Sequence, residues 1–410
     1  MRMKLTVLCL ALFLPGFLAG CAGIETQMTK QLNIQHTDYH SENTSENQSK
    51  KRPEFLAADK EDKGQTNSSS TNNIRRQTPK ENIKRTDIRG IYLNRNAIKS
   101  DAIDDYIDLV QSTDLNAFVM DVKDDNGKLT YDSNVPIAEE IKADGNPSVD
   151  DMKALLDRLE KEGIYTIARI VVFKDPFLAE QKEEFAIKRK NGGVWQDEQG
   201  IKWIDPYKKD VWDYMVSISE EVASYGFDEI QYDYIRFPAN AKTADQNITF
   251  DNQENMAKDE NVLSFLQYAN KRLEDYSVQV SADVFGLVTT AKDDMGIGQL
   301  WERIAPNVDF ISPMTYPSHY GPGSYGIENP DDHPYDIMKQ AIQDAKRRNE
   351  KLEEKGINTA FIRPWIQDFD FGRKYEKRDI QNQIKALEEL GIRQYLVWNA
   401  RSKYTKNAYE

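Results

Sequence analysis

The sequence predicts a (β/α)8 barrel of the TIM type, preceded by a signal peptide and a disordered linker. Three observations predict it. Eight short apolar segments follow one another, an amphipathic stretch fills every gap between them, and the composition changes abruptly near residue 86. Strands alternating with helices imply a parallel sheet, and eight such units suggest closure into a barrel. An open doubly wound sheet is the rival. No glycine-rich phosphate loop follows the first apolar segment, which weakens its nucleotide-binding variant.

Arg2 and Lys4 precede an apolar run over residues 5–18, shorter than the roughly 20 residues that span a bilayer. A basic start and a short apolar core form a secretory signal pattern. The run ends Leu18-Ala19-Gly20-Cys21, which resembles the cleavage signal of bacterial lipoproteins. Residues 1–20 are therefore expected to be a lipoprotein signal peptide, with Cys21 the lipidated first residue of the mature chain. That places the protein on the extracytoplasmic face of the cell membrane, held there by the lipid on Cys21. Residues 21–85 are rich in Ser, Asn, Gln, Thr and Lys and lack an apolar period. Such a segment cannot bury enough surface to offset its ordering entropy, so it reads as a disordered tether.

Residues 86–402 form the expected barrel, and 403–410 a short tail. Strands are expected at 88–93, 117–122, 166–172, 229–234, 278–284, 310–314, 360–366 and 394–398. Helices are expected near 102–112, 149–162, 208–225, 259–275, 297–304, 335–355 and 378–390. Two gaps exceed what a bare helix needs, at 174–207 and 239–258, and the first carries Asn191-Gly192, a hairpin signal. Both follow strands at their C-terminal ends, where such barrels build their sites.

Composition narrows the chemistry. The formal net charge is -14 and no basic cluster marks a phosphate-binding face, so nucleic acid is not an expected partner. Cys9 leaves with the signal and Cys21 carries lipid, so no internal disulfide remains. Cys and His at zinc-ligand spacing are missing, and neither a metal nor a cofactor is expected.

Side chains alternate between the two faces of a strand. If Ile230 and Tyr232 pack against helices, Gln231 and Asp233 point into the barrel, with Arg236 just beyond the rim. The same spacing turns Ser281 and Asp283 inward on the fifth strand, Asp121 and Lys123 on the second, and Arg169 on the third. The seventh offers Arg363, Trp365 and Gln367, with Asp368 nearby, and the eighth ends at Trp398. Carboxylates thus gather at one rim. Glycoside hydrolysis needs two of them, one to protonate the leaving oxygen and one to attack or to activate water. Aromatic residues such as Tyr316, Trp365 and Trp398 are suited to stack on sugar rings. The Asp124-Asp125-Asn126-Gly127 run reads as a turn rather than a calcium loop.

Several segments together resemble a bacterial glycosyl hydrolase domain related to α-amylase-type barrels. They are Ile88-Arg89-Gly90-Ile91-Tyr92, Asp121-Val122-Lys123-Asp124, Trp203-Ile204-Asp205-Pro206, the strand from Phe227 to Pro238, Ser281 to Gly286, and Ile311 to Pro317. The resemblance implies that Asp233 stands at the nucleophile position and Asp283 at the acid/base position, where amylase-like relatives carry Glu. Asp368 lies near the position of their third carboxylate. The implied substrate is a cell-wall or extracellular polysaccharide. Asp121, Lys123, Arg169, Gln231, Arg236, Tyr316, Trp365, Asp368 and Trp398 are the expected substrate contacts. The alternative is a non-catalytic lipoprotein that binds glycan or wall with the same barrel. The oligomeric state is not legible.

Overall fold

A computed structural model describes residues 87–239 and 247–410. The signal peptide, the tether and Cys21 lie outside the described residues. Along β4 (Glu229–Asp233) the alternation is as the sequence implies. Ile230 and Tyr232 join the outer apolar core, and the Tyr232 hydroxyl donates to Ser219 Oγ on a covering helix at 2.9 Å. Glu229, Gln231 and Asp233 take the opposite, inner face.

The other staves repeat this logic: β1 (Arg89–Leu93), β2 (Ala117–Lys123), β3 (Tyr165–Val171), β5 (Gln279–Phe285), β6 (Phe310–Met314), β7 and β8 (Tyr395–Trp398). All pair in parallel and in chain order. Arg89 lies opposite Tyr395, so β8 closes on β1 and the sheet becomes a barrel. β7 is split into Phe361–Ile362 and Trp365–Gln367. The break falls at Pro364, which has no N–H to donate to the ladder.

The covering helices are α1 (Ile103–Gln111), α2 (Pro136–Ile141), α3 (Met152–Lys161), α4 (Pro176–Gln181), α5 (Lys209–Tyr225), α6 (Lys258–Arg272), α7 (Trp301–Ile304), α8 (Pro334–Glu353) and α9 (Lys377–Glu389). α2 and α4 are single-turn additions in loops, each opened by a proline at its first position. α7 is shorter than expected because Gly296 and Gly298 hold positive φ of 68° and 85°, outside the helical range.

Two main apolar sets result, with a small third at Tyr320, Ile337 and Ala341. The larger lies between barrel and helices. The smaller fills the barrel and includes Tyr92, Ala117, Val119, Tyr165, Ile167, Tyr316, Trp365 and Leu396. The Asn191-Gly192 turn closes as a hairpin, with Arg189 N–H donating to Gly193 O at 3.0 Å. Lys188–Arg189 then pair with Ile248–Thr249, so the two long loops join above β3 and β4. Residues of the expected tail pack on the barrel, and Tyr409 is buried.

Candidate active site

The site begins with the inner faces of β2 to β5. Register places Asp121 opposite Arg169, Arg169 opposite Gln231, and Gln231 opposite Ser281. Asp233 and Asp283 stand one step nearer the rim. At the opposite end of the barrel Glu229 is taken by the buried Arg363 guanidinium and by the Tyr165 hydroxyl, so β4 offers its rim only Asp233.

Arg169 organises the carboxylates. Its Nε and Nη2 donate to Asp233 Oδ2 at 2.9 and 2.6 Å, and its Nη1 donates to Asp121 Oδ1 at 2.7 Å. Both Nη atoms reach Asp125 Oδ2 at 3.2 Å. Lys174 Nζ stands 3.3 Å from both Asp125 Oδ1 and the Tyr234 hydroxyl. The Tyr92 hydroxyl donates to Asp121 Oδ2 at 2.5 Å, and the Tyr92 ring lies 4.1 Å, centroid to centroid, from Trp398. The guanidinium of Arg169 sits over both rings, at 5.5 and 5.3 Å.

These surroundings split the acids. Burial raises the Asp121 carboxyl from its ordinary 3.8 to about 7, although the Arg169 cation opposes it. Asp125 is also pushed up by burial, but Arg169 and Lys174 together bring it well below the usual carboxylate range. Burial, with the Asp233 charge added, raises Asp283 well above its ordinary value. Asp283 Oδ1 accepts from Trp365 Nε1 at 2.8 Å. A buried carboxyl pushed up beside a second acid on the next strand is the kind of pairing that acid catalysis near neutral pH draws on.

The backbone is bent where β4 ends. Tyr234 has φ of 52°, unusual for a residue with a side chain, and its N–H donates to Asp233 Oδ1 at 2.6 Å. Two residues after the bend stands Arg236. Its guanidinium is buried among the rings of Trp203, Tyr234 and Phe285 and donates to Phe237 O.

Of the expected site residues, Asp121, Arg169, Asp233, Asp283, Trp365 and Trp398 come together. Gln231 lies beneath them, fully buried, and Tyr316 packs with Trp365 in the barrel interior. Two expectations are corrected. Lys123 does not face the site: a bulge after Asp121 puts it opposite Ile170, on the outer face. There its Nζ meets Asp175 Oδ2 at 2.8 Å and Val171 O at 2.7 Å, both charged side chains being 0% exposed. Asp368 is occupied elsewhere. Its oxygens accept from the Thr405 N–H at 2.7 Å, Thr405 Oγ1 at 2.8 Å and the Tyr409 hydroxyl at 2.7 Å.

Sequence reasoning missed Asp125, Lys174, Tyr92 and Tyr234. Asp125 belongs to the run that reads as a turn, and the turn is there: Asp124 Oδ1 accepts from the N–H groups of Asn126 and Lys128. The period of two ends with the strand and does not say where the next carboxylate points. Tyr92 was findable, because it lies near the end of the first strand, two residues after inward Gly90.

Residues 90–404 match a family described as "Putative glycosyl hydrolase domain". No curated protein matches the chain. Among solved structures, a hypothetical protein from Ruminiclostridium thermocellum is 38% identical, over 50% of this chain and 98% of that one, with a TM-score of 0.43. The glycoside hydrolase domain of PgaB (BpsB) from Bordetella bronchiseptica is 15% identical over 77% and 95% of the two chains, with a TM-score of 0.55, a likeness of fold. The glycoside hydrolase domain of PelA from Pseudomonas aeruginosa is 10% identical over 78% and 96%, with a TM-score of 0.42.

Proposed function

This chain belongs to that glycosyl hydrolase domain family, and from that premise we propose that it is a glycoside hydrolase or transglycosidase acting on a cell-wall or extracellular polysaccharide. The observation that carries the reading is the pair Asp233 and Asp283 at the rim ends of neighbouring strands, the second with its carboxyl pushed up by burial and by the first. Trp365 Nε1 occupies one oxygen of Asp283, which leaves the other to carry the proton to the glycosidic oxygen. The Asp233 carboxylate then meets the positive charge that develops at the anomeric carbon as the C–O bond breaks. Arg169 fixes its orientation, and the Tyr92–Trp398 pair supplies an aromatic surface for a sugar ring.

A second reading has its own support. Both oxygens of Asp233 already accept hydrogen bonds, Oδ2 from Arg169 and Oδ1 from Tyr234 N–H. A carboxylate so engaged suits a barrel that binds glycan without cleaving it. The purified domain, incubated with wall and extracellular polysaccharides, separates the two. New reducing ends that vanish with Asp233→Asn support the hydrolase. Binding with no reducing ends released by the unaltered chain overturns it in favour of the glycan-binding lipoprotein.

Location at the outer face of the membrane is part of the same proposal and rests on the Leu18-Ala19-Gly20-Cys21 signal. Cys21→Ser is expected to release the protein from membranes or leave its signal uncleaved. Unchanged retention with normal processing overturns the anchor.

A further inference from the structure

Residues 402–409 make contacts that a loose tail has no reason to make. Asp114 N–H donates to Tyr409 O at 2.9 Å, and Tyr106 Oη donates to Ser402 O at 3.0 Å, so the segment is tied to the α1 side of the barrel. Ser402 Oγ accepts from the Asn94 N–H at 3.0 Å, just past the end of β1. Thr405 and Tyr409 together place three donors on the buried Asp368 carboxylate, just past the end of β7. Asn399 Nδ2 bridges Asp368 O and Lys403 O, at 2.5 and 2.7 Å.

The contact of most consequence is at Tyr92. Along β1 the carbonyl of Ile88 accepts from Tyr395 N–H on β8. The carbonyls of Gly90 and Tyr92 point the same way, because alternate carbonyls of a strand face the same neighbour. The β1–β8 register ends at Ile91 and Val397, so β8 leaves the sheet before it can supply an N–H for Tyr92. The Tyr404 hydroxyl takes that place and donates to Tyr92 O. Tyr92 is therefore held from behind by Tyr404, while its own hydroxyl holds Asp121 and its ring carries Trp398 and Arg169.

We propose that Tyr404 and Asp368 are positioning residues: the 402–409 segment clasps the ends of β1 and β7 and thereby sets the Tyr92–Trp398 pair and the Asp121 carboxyl at the reaction centre. The proposal deepens the hydrolase reading and rests on it. It explains why a strand-seven carboxylate stands at the rim without facing the other acids. Displacing Tyr92 displaces its hydroxyl and ring together, and small displacements of groups around a reacting bond cost roughly ten- to a hundredfold in rate.

The test compares the full chain with Tyr404→Phe, which removes one hydroxyl, and with Asp368→Asn, which sets an amide N–H against the clasp donors. The environment of Trp398 is read as the acrylamide quenching lost on adding Trp398→Phe to each background. Expected for Tyr404→Phe are quenching of Trp398 raised about twofold or more, a kcat lowered roughly tenfold with little change in KM, and a melting temperature within a few degrees of the unaltered chain. Unchanged quenching overturns the clasp, as does a kcat that falls only in step with the folded fraction. If Asp368→Asn does not fold, Tyr404→Phe decides alone. If the unaltered chain cleaves no polysaccharide, the hydrolase reading fails, and the quenching still decides whether the segment positions Trp398.

Discussion

Arg169 Nε and Nη2 converge on a single oxygen, Asp233 Oδ2, at 2.9 and 2.6 Å, in a place where the arginine is 1% exposed. A guanidinium so buried is stable only because three carboxylates surround it, and they depend on it in turn. Replacing it by Met leaves Asp121, Asp125 and Asp233 crowded without their shared cation. Arg169→Met is expected to cost about 3–5 kcal/mol of stability, measured by urea unfolding, and to abolish turnover. Arg169→Lys restores part of the stability but little of the rate, since an ammonium cannot form the fork to Asp233. Equal rates for Arg169→Lys and the unaltered chain refute this role.

In the proposed reaction Asp283 is the acid, needed only when the leaving oxygen must take up a proton. Asp283→Asn is expected to lower kcat by roughly two to four orders of magnitude on a polysaccharide, and far less on an aryl glycoside with an activated leaving group. A loss of the same size on both substrates removes Asp283 from the acid position.

Asp121 makes stability depend on pH in a definite direction. Its carboxyl titrates at 3.8 in an ordinary environment and at about 7 in the folded protein, so the native state binds the proton more tightly. The stabilisation is complete below about pH 4 and is lost as the pH rises through about 7. Asp121→Asn does not titrate. The melting temperature of the unaltered chain, taken relative to this variant, is expected to fall from pH 4 to pH 7. Parallel melting curves across that window contradict the raised carboxyl.

Lys123 and Asp175 form a wholly buried pair on the outer side of the barrel. Lys123→Met strands the Asp175 charge and is expected to cost about 3–5 kcal/mol. Adding Asp175→Asn removes that charge and keeps the acceptor for Leu178 N–H at the start of α4, so stability partly returns. Turnover per folded molecule is expected to stay near that of the unaltered chain in both variants. A kcat/KM lowered tenfold by Lys123→Met, at full folding, returns Lys123 to the site.

The barrel was legible in the chain because its evidence is local. A period of two in Glu229–Asp233 and a helical period in 208–225 each require only neighbouring residues to bury one face, and their repetition leaves few ways to close a sheet. The same local rule turned Asp233 and Asp283 inward correctly. It failed wherever a strand stopped being regular. A single bulge after Asp121 sends Lys123 to the opposite face, because the period is two and a slip of one inverts every later side chain. It was silent on contacts made across the fold. Asp368 meets Thr405 and Tyr409, some forty residues away, and Arg169 collects Asp121, Asp125 and Asp233 from three different segments. Which acid is charged depends on those meetings, since burial and neighbouring cations act through space. By itself the sequence determined the staves, the inward residues where a strand stays regular, and the rim at which the acids gather. Only the tertiary structure decided that burial pushes the Asp121 and Asp283 carboxyls up, that Arg169 and Lys174 hold Asp125 down, and that Asp368 serves the C-terminal segment.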